Sequence, residues 1–399
     1  LWVGTEANGL GKFDGTNWWT FDISNSVLKV NQVNVITVAP DSAIWVGTGN
    51  VSAFNGNLVK IKDNQFTSYE THISGLPGYN ISDIFIEPSG TLWVGTAGNE
   101  GHPGEEGGVA KFDGQDTWVV YDRNNSGLFK NEIRSIAQDL DGAMWFSVTE
   151  GYCASGVGIA RFDRVSTWTT YQQGTSGLPD DFVLDIVIDE KGTKWIGTAN
   201  GGLARFDGDT SWYVYDTTNS GLPNNRVNVI ALDKEGGLWI GTENGLAYFD
   251  GNSQWQTYTI LNSGLPNNAV NYIYVDQQNR KWICTDGGLT VYFGSGVESS
   301  KEEAKVYWSA NPILKSQKAT FYYWLTAKGK VSLKIFDLAG DLVCDLIPPE
   351  TYAQQGTVEW DGNNVNGKFV GTGLYIFVFT YTINNETRVI REPVAIINE

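Results

Sequence analysis

The sequence predicts an all-β chain, a seven-bladed β-propeller followed by an immunoglobulin-like β-sandwich. Three observations carry that reading. A Trp returns seven times inside one short phrase: Leu1-Trp2-Val3-Gly4-Thr5, Ile44-Trp45-Val46-Gly47-Thr48, Leu92-Trp93-Val94-Gly95-Thr96, and, with drift, around Trp145, Trp195, Trp239 and Trp282. The Trp-to-Trp spacings are 43, 48, 52, 50, 44 and 43 residues, the period of four-stranded propeller blades. The period then stops at residue 293, and a different alternating pattern fills residues 305–399.

The cleanest repeat shows why each period is one blade. Strand a reads Val227-Asn228-Val229-Ile230-Ala231-Leu232-Asp233, strand b Leu238-Trp239-Ile240-Gly241-Thr242, strand c Gly245-Leu246-Ala247-Tyr248-Phe249-Asp250 and strand d Trp255-Gln256-Thr257-Tyr258. Each run is short, rich in β-branched and aromatic residues, and bounded by Gly, Asn or Asp. Strand a repeats an Ile at one place (Ile36, Ile84, Ile136, Ile186, Ile230, Ile273). It reads as apolar on both faces, as an inner strand buried between neighbouring blades should. A connector of the type Asn219-Ser220-Gly221-Leu222-Pro223-Asn224 joins strand d to the next strand a. Its Gly and Pro force a sharp crossing, and its Leu is expected to plug the seam between blades. The first blade lacks its inner strand and the last its outer strand. A preceding segment of about 25 residues, or strands from another subunit, would supply them.

Composition excludes several classes. The formal net charge is −18, so nucleic acid and anionic membranes are not expected partners. No run of about 18 apolar residues offers a membrane-spanning helix. Three Cys make no disulfide framework. Cys284 and Cys344 fall in strands, whereas Cys153 falls in a loop and is the one expected to cross-link. With two His, His72 and His102, a His-ligated zinc site or a Ser-His-Asp arrangement has little to work with.

Residues 294–304 are polar and charged and read as a linker. After them, seven alternating strands are expected: Lys305–Ala310, Ala319–Leu325, Val331–Asp337, Leu342–Leu346, Thr357–Trp360, Leu374–Ile383 and Thr387–Ile397. The motifs Ala319-Thr320-Phe321-Tyr322-Tyr323-Trp324-Leu325, Gly329-Lys330-Val331-Ser332-Leu333-Lys334-Ile335-Phe336-Asp337 and Trp360-Asp361-Gly362-Asn363 resemble the immunoglobulin-like domain of flagellar hook-capping proteins. The same module ends many secreted bacterial proteins. That resemblance implies a structural or assembly role. Residues 1–293, through the Gly-Leu-Pro-x-Asn connector, the Leu-Trp-Ile-Gly-Thr strand and the Gly-Leu-x-x-Phe-Asp-Gly strand, resemble two-component-regulator propeller repeats. In that family the repeats form extracytoplasmic sensor domains, often recognising glycan fragments. No transmembrane helix or kinase module follows the propeller here, so the resemblance implies an exported bacterial scaffold.

In propeller topology the b–c loops and the d–a connectors share one face. Two b–c loops are long, residues 97–107 and 149–156, and belong to neighbouring blades. Long loops on a rigid scaffold are where binding concentrates. Glu100, His102, Glu105, Glu106, Glu150 and Tyr152 therefore form the expected partner-binding patch. Its carboxylates could coordinate Ca²⁺, which takes oxygen ligands from loops, or be simply acidic; no complete EF-hand loop is present and no cofactor is expected. Asp139-Leu140-Asp141-Gly142 falls where other repeats have the a–b turn and reads as a hairpin. Asn34, Ser82, Arg134, Asn228 and Asn271 lie near the start of strand a, at the channel mouth. Arg134 is the one charge among them, and could meet an anion there; a hydrated polar channel is the simpler expectation. The function expected is that of a non-catalytic secreted or cell-surface interaction protein, partnered by proteins including copies of itself in filaments or arrays. The alternatives are a carbohydrate-sensing propeller and a polysaccharide lyase or hydrolase.

Overall fold

In the computed structural model the chain is all-β. The structure describes all residues except 15–16, 51–54, 71–73, 99–105, 151–154, 209–210, 293–303, 309–311, 316–317, 338, 384–385 and 398–399. The chain divides into two compact units, Leu1–Ser220 with Asn224–Leu232, and Gly221–Pro223 with Asp233–Glu399.

The first 292 residues build seven blades, the arrangement of a seven-bladed β-propeller. Blade 1 is a three-stranded sheet of β1 (Trp2–Gly4), β2 (Leu10–Phe13) and β3 (Trp18–Phe21). Blade 2 comprises β4 (Val33–Val38), β5 (Ile44–Thr48), β6 (Leu58–Lys62) and β7 (Gln65–Tyr69). Blade 3 comprises β8 (Asn80–Ile86), β9 (Leu92–Ala97), β10 (Gly107–Phe112) and β11 (Trp118–Tyr121). Blade 4 comprises β12 (Glu132–Gln138), β13 (Met144–Glu150), β14 (Ser155–Phe162) and β15 (Trp168–Tyr171). Blade 5 comprises β16 (Val183–Ile188), β17 (Lys194–Thr198), β18 (Leu203–Phe206) and β19 (Trp212–Tyr215). Blade 6 comprises β20 (Val227–Leu232), β21 (Leu238–Thr242), β22 (Gly245–Phe249) and β23 (Trp255–Tyr258). Blade 7 is three-stranded: β24 (Val270–Val275), β25 (Lys281–Thr285) and β26 (Gly288–Tyr292).

The repeated residues explain the blade. The strand-c Phe stacks on the strand-d Trp at 4.1–4.8 Å in Phe13–Trp18, Phe112–Trp118, Phe162–Trp168, Phe206–Trp212 and Phe249–Trp255. The Thr of the Trp phrase ties the b–c hairpin: Thr198 Oγ1 donates to Gly202 O at 2.8 Å and Thr242 Oγ1 to Gly245 O at 2.7 Å. The Gly of that phrase is a packing residue. A Cβ on Gly95 would lie 2.8 Å from Cγ2 of Ile133 on the next blade's inner strand. Blade 4 carries Ser147 there instead, and uses it: Ser147 Oγ donates to Val183 O of blade 5 at 2.6 Å.

The strand-b Trp is also a hydrogen-bond donor. Its indole N–H donates to the carboxylate six residues earlier in Trp93→Glu87, Trp145→Asp139, Trp195→Asp189, Trp239→Asp233 and Trp282→Asp276, at 2.6–3.2 Å. A cation from the following blade then joins some of these pairs. Lys194 Nζ lies 2.7 Å from Asp139 and over the Trp145 ring. Lys281 Nζ lies 3.5 Å from Asp233 and over the Trp239 ring. Arg164 does the same for Glu87 and Trp93. Each is a buried or half-buried charge neutralised across a blade joint. Where blade 2 has Ala39 in place of the carboxylate, blade 3 offers the buried Leu92 in place of the cation.

Residues 304–397 form one six-stranded sheet: β27 (Ala304–Trp308), β28 (Ile313–Leu314), β29 (Ala319–Phe336), β30 (Leu342–Trp360), β31 (Gly373–Ile383) and β32 (Glu386–Ile397). The linker expected at 294–304 lies outside the described residues except for Ala304, the first residue of β27. Two pairs of expected strands are continuous. β29 pairs through residues 321–325 with β27 and through residues 330–336 with β31. β30 follows β29 throughout, with register shifts between Trp324 and Gly329 and again around Val331–Lys334. Pro348-Pro349 falls where β30 skips partners, because Pro has no N–H to donate to a ladder. The expected two sheets are therefore joined into one. Trp308, Phe321, Trp360, Phe377, Phe379 and Ile396 fill a single core.

Candidate functional site

The d–a connectors are built to hold one shape. In the connector between blades 3 and 4, Asn125 Oδ1 accepts from Asp122 N at 3.0 Å and its amide donates to Val120 O at 3.1 Å. Leu128 N donates to Ser126 Oγ at 3.2 Å, and Asn131 Oδ1 accepts from Arg123 N at 2.8 Å. The last bond repeats in four other connectors, as Ile23→Asn31, Gln173→Asp181, Thr217→Asn225 and Ile260→Asn268. Leu128 is buried in the seam with Trp93, Ile133 and Met144. The connector Gly is required by close approach: a Cβ on Gly127 would lie 2.2 Å from Trp168 Cβ. The result is a rigid set of loops on the face that also carries the b–c hairpins.

Two carboxylates of the expected patch, Glu106 and Glu150, are held at opposite sides of this connector. Glu106 accepts from Asn131 Nδ2 at 3.2 Å and lies 3.8 Å from Arg123. Glu150 pairs with Lys130. Two b–c loops from adjacent blades are thereby tied to one connector. Glu100, His102, Glu105, Tyr152 and Cys153 lie outside the described residues. Among the described residues no group of three or more His, Cys, Asp or Glu side chains is placed to hold a metal.

In the inner strands of both units the register breaks at one repeated place. β4, β8, β12 and β16 shift between Val33/Val35, Ile81/Asp83, Ile133/Ser135 and Val183/Asp185, and β24 between Val270/Tyr272. Asn34, Ser82, Arg134, Leu184 and Asn271 are the bulged residues. A bulge frees backbone groups from the ladder, and the next position supplies a bond across the joint. Asp83 Oδ2 accepts from Ile136 N at 2.7 Å, Ser135 Oγ from Ile186 N at 3.1 Å, and Asp185 Oδ2 from Ile230 N at 2.7 Å. Ser135 Oγ also donates to Asp185 at 3.0 Å. Blades 3 to 6 are latched in series by these three side chains. The inner strand is therefore not apolar on both faces, as its sequence suggested. Asp83, Ser135 and Asp185 interrupt it because the bulge leaves N–H groups that apolar side chains cannot satisfy.

The two-component regulator propeller family matches at residues 75–98 and 221–244. Both segments run from a connector Gly through strand a to the Trp-bearing strand b, the stretch that makes the latch and the seam. Two of the blades, the third and the sixth, carry a two-component regulator propeller repeat. No curated protein matches the chain. Among solved structures, it is similar to the extracellular domain of a protein assigned as a hybrid two component system of B. thetaiotaomicron, at 17% identity and a TM-score of 0.63, covering 100% of this chain and 54% of that one. It is also similar to PorZ, an essential bacterial surface component of the type-IX secretion system of Porphyromonas gingivalis, at 18% identity and a TM-score of 0.55, covering 98% and 56%. Virginiamycin B lyase of Staphylococcus aureus matches at 14% identity and a TM-score of 0.50, covering 76% and 94%. The chain spans about half the length of the first two.

The remaining expected positions separate. Asn34 Nδ2 donates to Asn80 Oδ1 at 2.8 Å and Ile81 O at 3.0 Å, and Ser82 Oγ donates to Ile133 O. Asn228 is half-buried on β20, and Asn271 donates to Asp286 at 2.6 Å. Arg134 Nε is buried without a hydrogen-bond partner. Asp139 serves the a–b turn, as expected: Gly142 N donates to its carbonyl at 2.9 Å. Cys284 is half-buried, and burial pushes its thiol up to about 11. The sequence reading missed Asp83, Ser135 and Asp185. Their signal was a polar residue just before the repeated Ile, where other repeats have Val35 or Val229.

The hub carboxylates give stability a pH dependence. Desolvation pushes the Asp83 carboxyl up to about 7, with the Asp185 charge adding to it, against the backbone bonds and Arg134, which lower it. Asp185 is raised by the same desolvation. A folded-state value above the unfolded one means the folded chain binds the extra proton, so stability falls as pH rises from about 4 to about 7. Asp276, held down to about 2 chiefly by its bonds from Trp282 and Arg280 against desolvation, acts oppositely and only in strong acid. The unfolding midpoint should therefore be lower at pH 8 than at pH 5. Asp83→Asn should flatten that slope, and an equal slope in the variant contradicts the assignment.

Proposed function

We propose that this chain is a non-catalytic, extracytoplasmic interaction module of a bacterial surface protein, and that it engages its partner through the connector face. The observation that carries this reading is the contrast between face and hub. Polar side chains of the hub, Asp83, Ser135 and Asp185, are spent on holding blades together. The connector face is prearranged by its own hydrogen bonds and holds Glu106 and Glu150 against one connector. The B. thetaiotaomicron and P. gingivalis structures, an extracellular domain and a surface component, support export. No helix among the described residues is long and apolar enough to cross a membrane. The hook-capping resemblance of residues 305–399 supports a presenting or assembling role for that module.

Self-association is the second reading. The assembly role that the hook-capping resemblance of residues 305–399 implies supports this reading.

Photo-crosslinking from defined faces tests both. A crosslinking residue at Glu150 or Asn200 reports on the connector face, and one at Asp141 or Lys191 on the face of the a–b turns.

A further inference from the structure

Arg134 is the one hub group whose bonding the latch does not explain. It is the bulged residue of β12, half-buried, between blades 3 and 5. Its Nε is buried without a partner, and no hydrogen bond or ion pair among the described residues engages its guanidinium. The bulged residues of the two preceding blades, Asn34 and Ser82, are fully used in bonds across the joint. A desolvated N–H with no acceptor is costly and rare in folded proteins, and a guanidinium presents planar, paired donors that suit a carboxylate.

The charged groups around it are Asp83 on β8, Asp185 on β16 and Glu132, buried on its own strand. β9 carries no charged residue, and Glu150 of β13 is held by Lys130. The oxygens of Asp83 and Asp185 already accept backbone N–H groups on both sides of Arg134. An anion entering here meets one cation against the carboxyls of Asp83, Asp185 and Glu132, so it is accommodated only when at least one carboxyl is neutral.

We propose that the hub at Arg134 binds a small carboxylate-bearing solute, and that one proton from solvent is taken up by Asp83 or Asp185 as it binds. The solute arrives as the anion, no covalent bond changes, and the site is separate from the connector face.

Titration calorimetry of the whole chain with acetate and with lactate, at pH 6 and pH 8 in two buffers of different ionisation heat, tests this. The expected result is one site, affinity about tenfold or more weaker at pH 8, and proton uptake that approaches one at pH 8 and is small at pH 6, where Asp83 already holds its proton. Arg134→Gln should weaken binding about tenfold or more while keeping the β-sheet circular dichroism, and Arg134→Lys should retain part of it. Asp83→Asn should keep binding and lessen its pH dependence. Binding unchanged in Arg134→Gln, absence of proton uptake, no heat with either carboxylate, or equal affinity for sulfate would each overturn the proposal. None of these outcomes depends on whether the connector face has a partner.

Discussion

Lys281→Met should lower the stability of the blade 6–blade 7 joint by about 3 kcal/mol, among the largest effects of any single substitution in the chain. Lys281 is fully buried, with its ammonium 3.5 Å from Asp233 and over the Trp239 ring. Met keeps the length and the apolar stem but removes the charge. Asp233 then remains buried, with bonds from Trp239, Gly237 and Glu235 but without its cation. Breaking one side of a buried pair is costly because the other charge stays behind, whereas removing both can be nearly neutral. The chain contains its own control, since the blade 2–blade 3 joint is built with Ala39 and Leu92. The double variant Asp233→Ala with Lys281→Leu should therefore recover most of the loss. Urea unfolding followed by Trp fluorescence measures this. A Lys281→Met midpoint equal to that of the parent, or a double variant no better than the single one, contradicts the account.

Gly127→Ala should cost about 1–3 kcal/mol, or more if the joint cannot relax. The added methyl would lie 2.2 Å from Trp168 Cβ and 2.5 Å from its Cγ, close to the backbone of β15, where a rotamer change cannot relieve it. Gly174, at the start of another connector, has nothing within 4 Å of a built Cβ. Gly174→Ala should be neutral or stabilise by about 0.4–1 kcal/mol through the unfolded chain. Thermal unfolding of the two variants side by side separates close packing from backbone freedom. Equal midpoints would mean that the connector Gly is kept for its conformation, not for contact with the next blade.

The blades were legible because their determinants are local and repeated. The Trp phrase, the strand-a Ile and the connector Leu recur at a fixed period, and each sits in one environment. Bonds between blades were not, because they join residues from 36 to 77 positions apart and vary from joint to joint. Lys194 and Lys281 stand just before the repeat Trp, where other repeats have Leu, Ile or Met. Each makes sense only beside the carboxylate of the preceding blade. Asp83 and Asp185 interrupt a strand read as apolar, and their role follows only from the bonds they accept from backbone N–H groups at the bulged joints. In the C-terminal module, composition marked the ends of the alternating runs but not their continuity. β29 and β30 pass through the expected breaks by shifting register. On the connector face, Glu106 and Glu150 were placed together by topology alone, whereas their pairing with Arg123 and Lys130 depends on the path of one connector.

The central claim is that the connector face of the propeller is the interaction surface. Photo-crosslinking in the source bacterium tests it most directly, with the probe at Glu150, Asn200, Asp141 or Lys191 in turn. The expected result is a discrete crosslinked product from Glu150 and Asn200, and none from Asp141 or Lys191. A product of twice the chain's own mass would assign the partner as a second copy. Crosslinks only from Asp141 and Lys191, or equal yields from both faces, would contradict the claim.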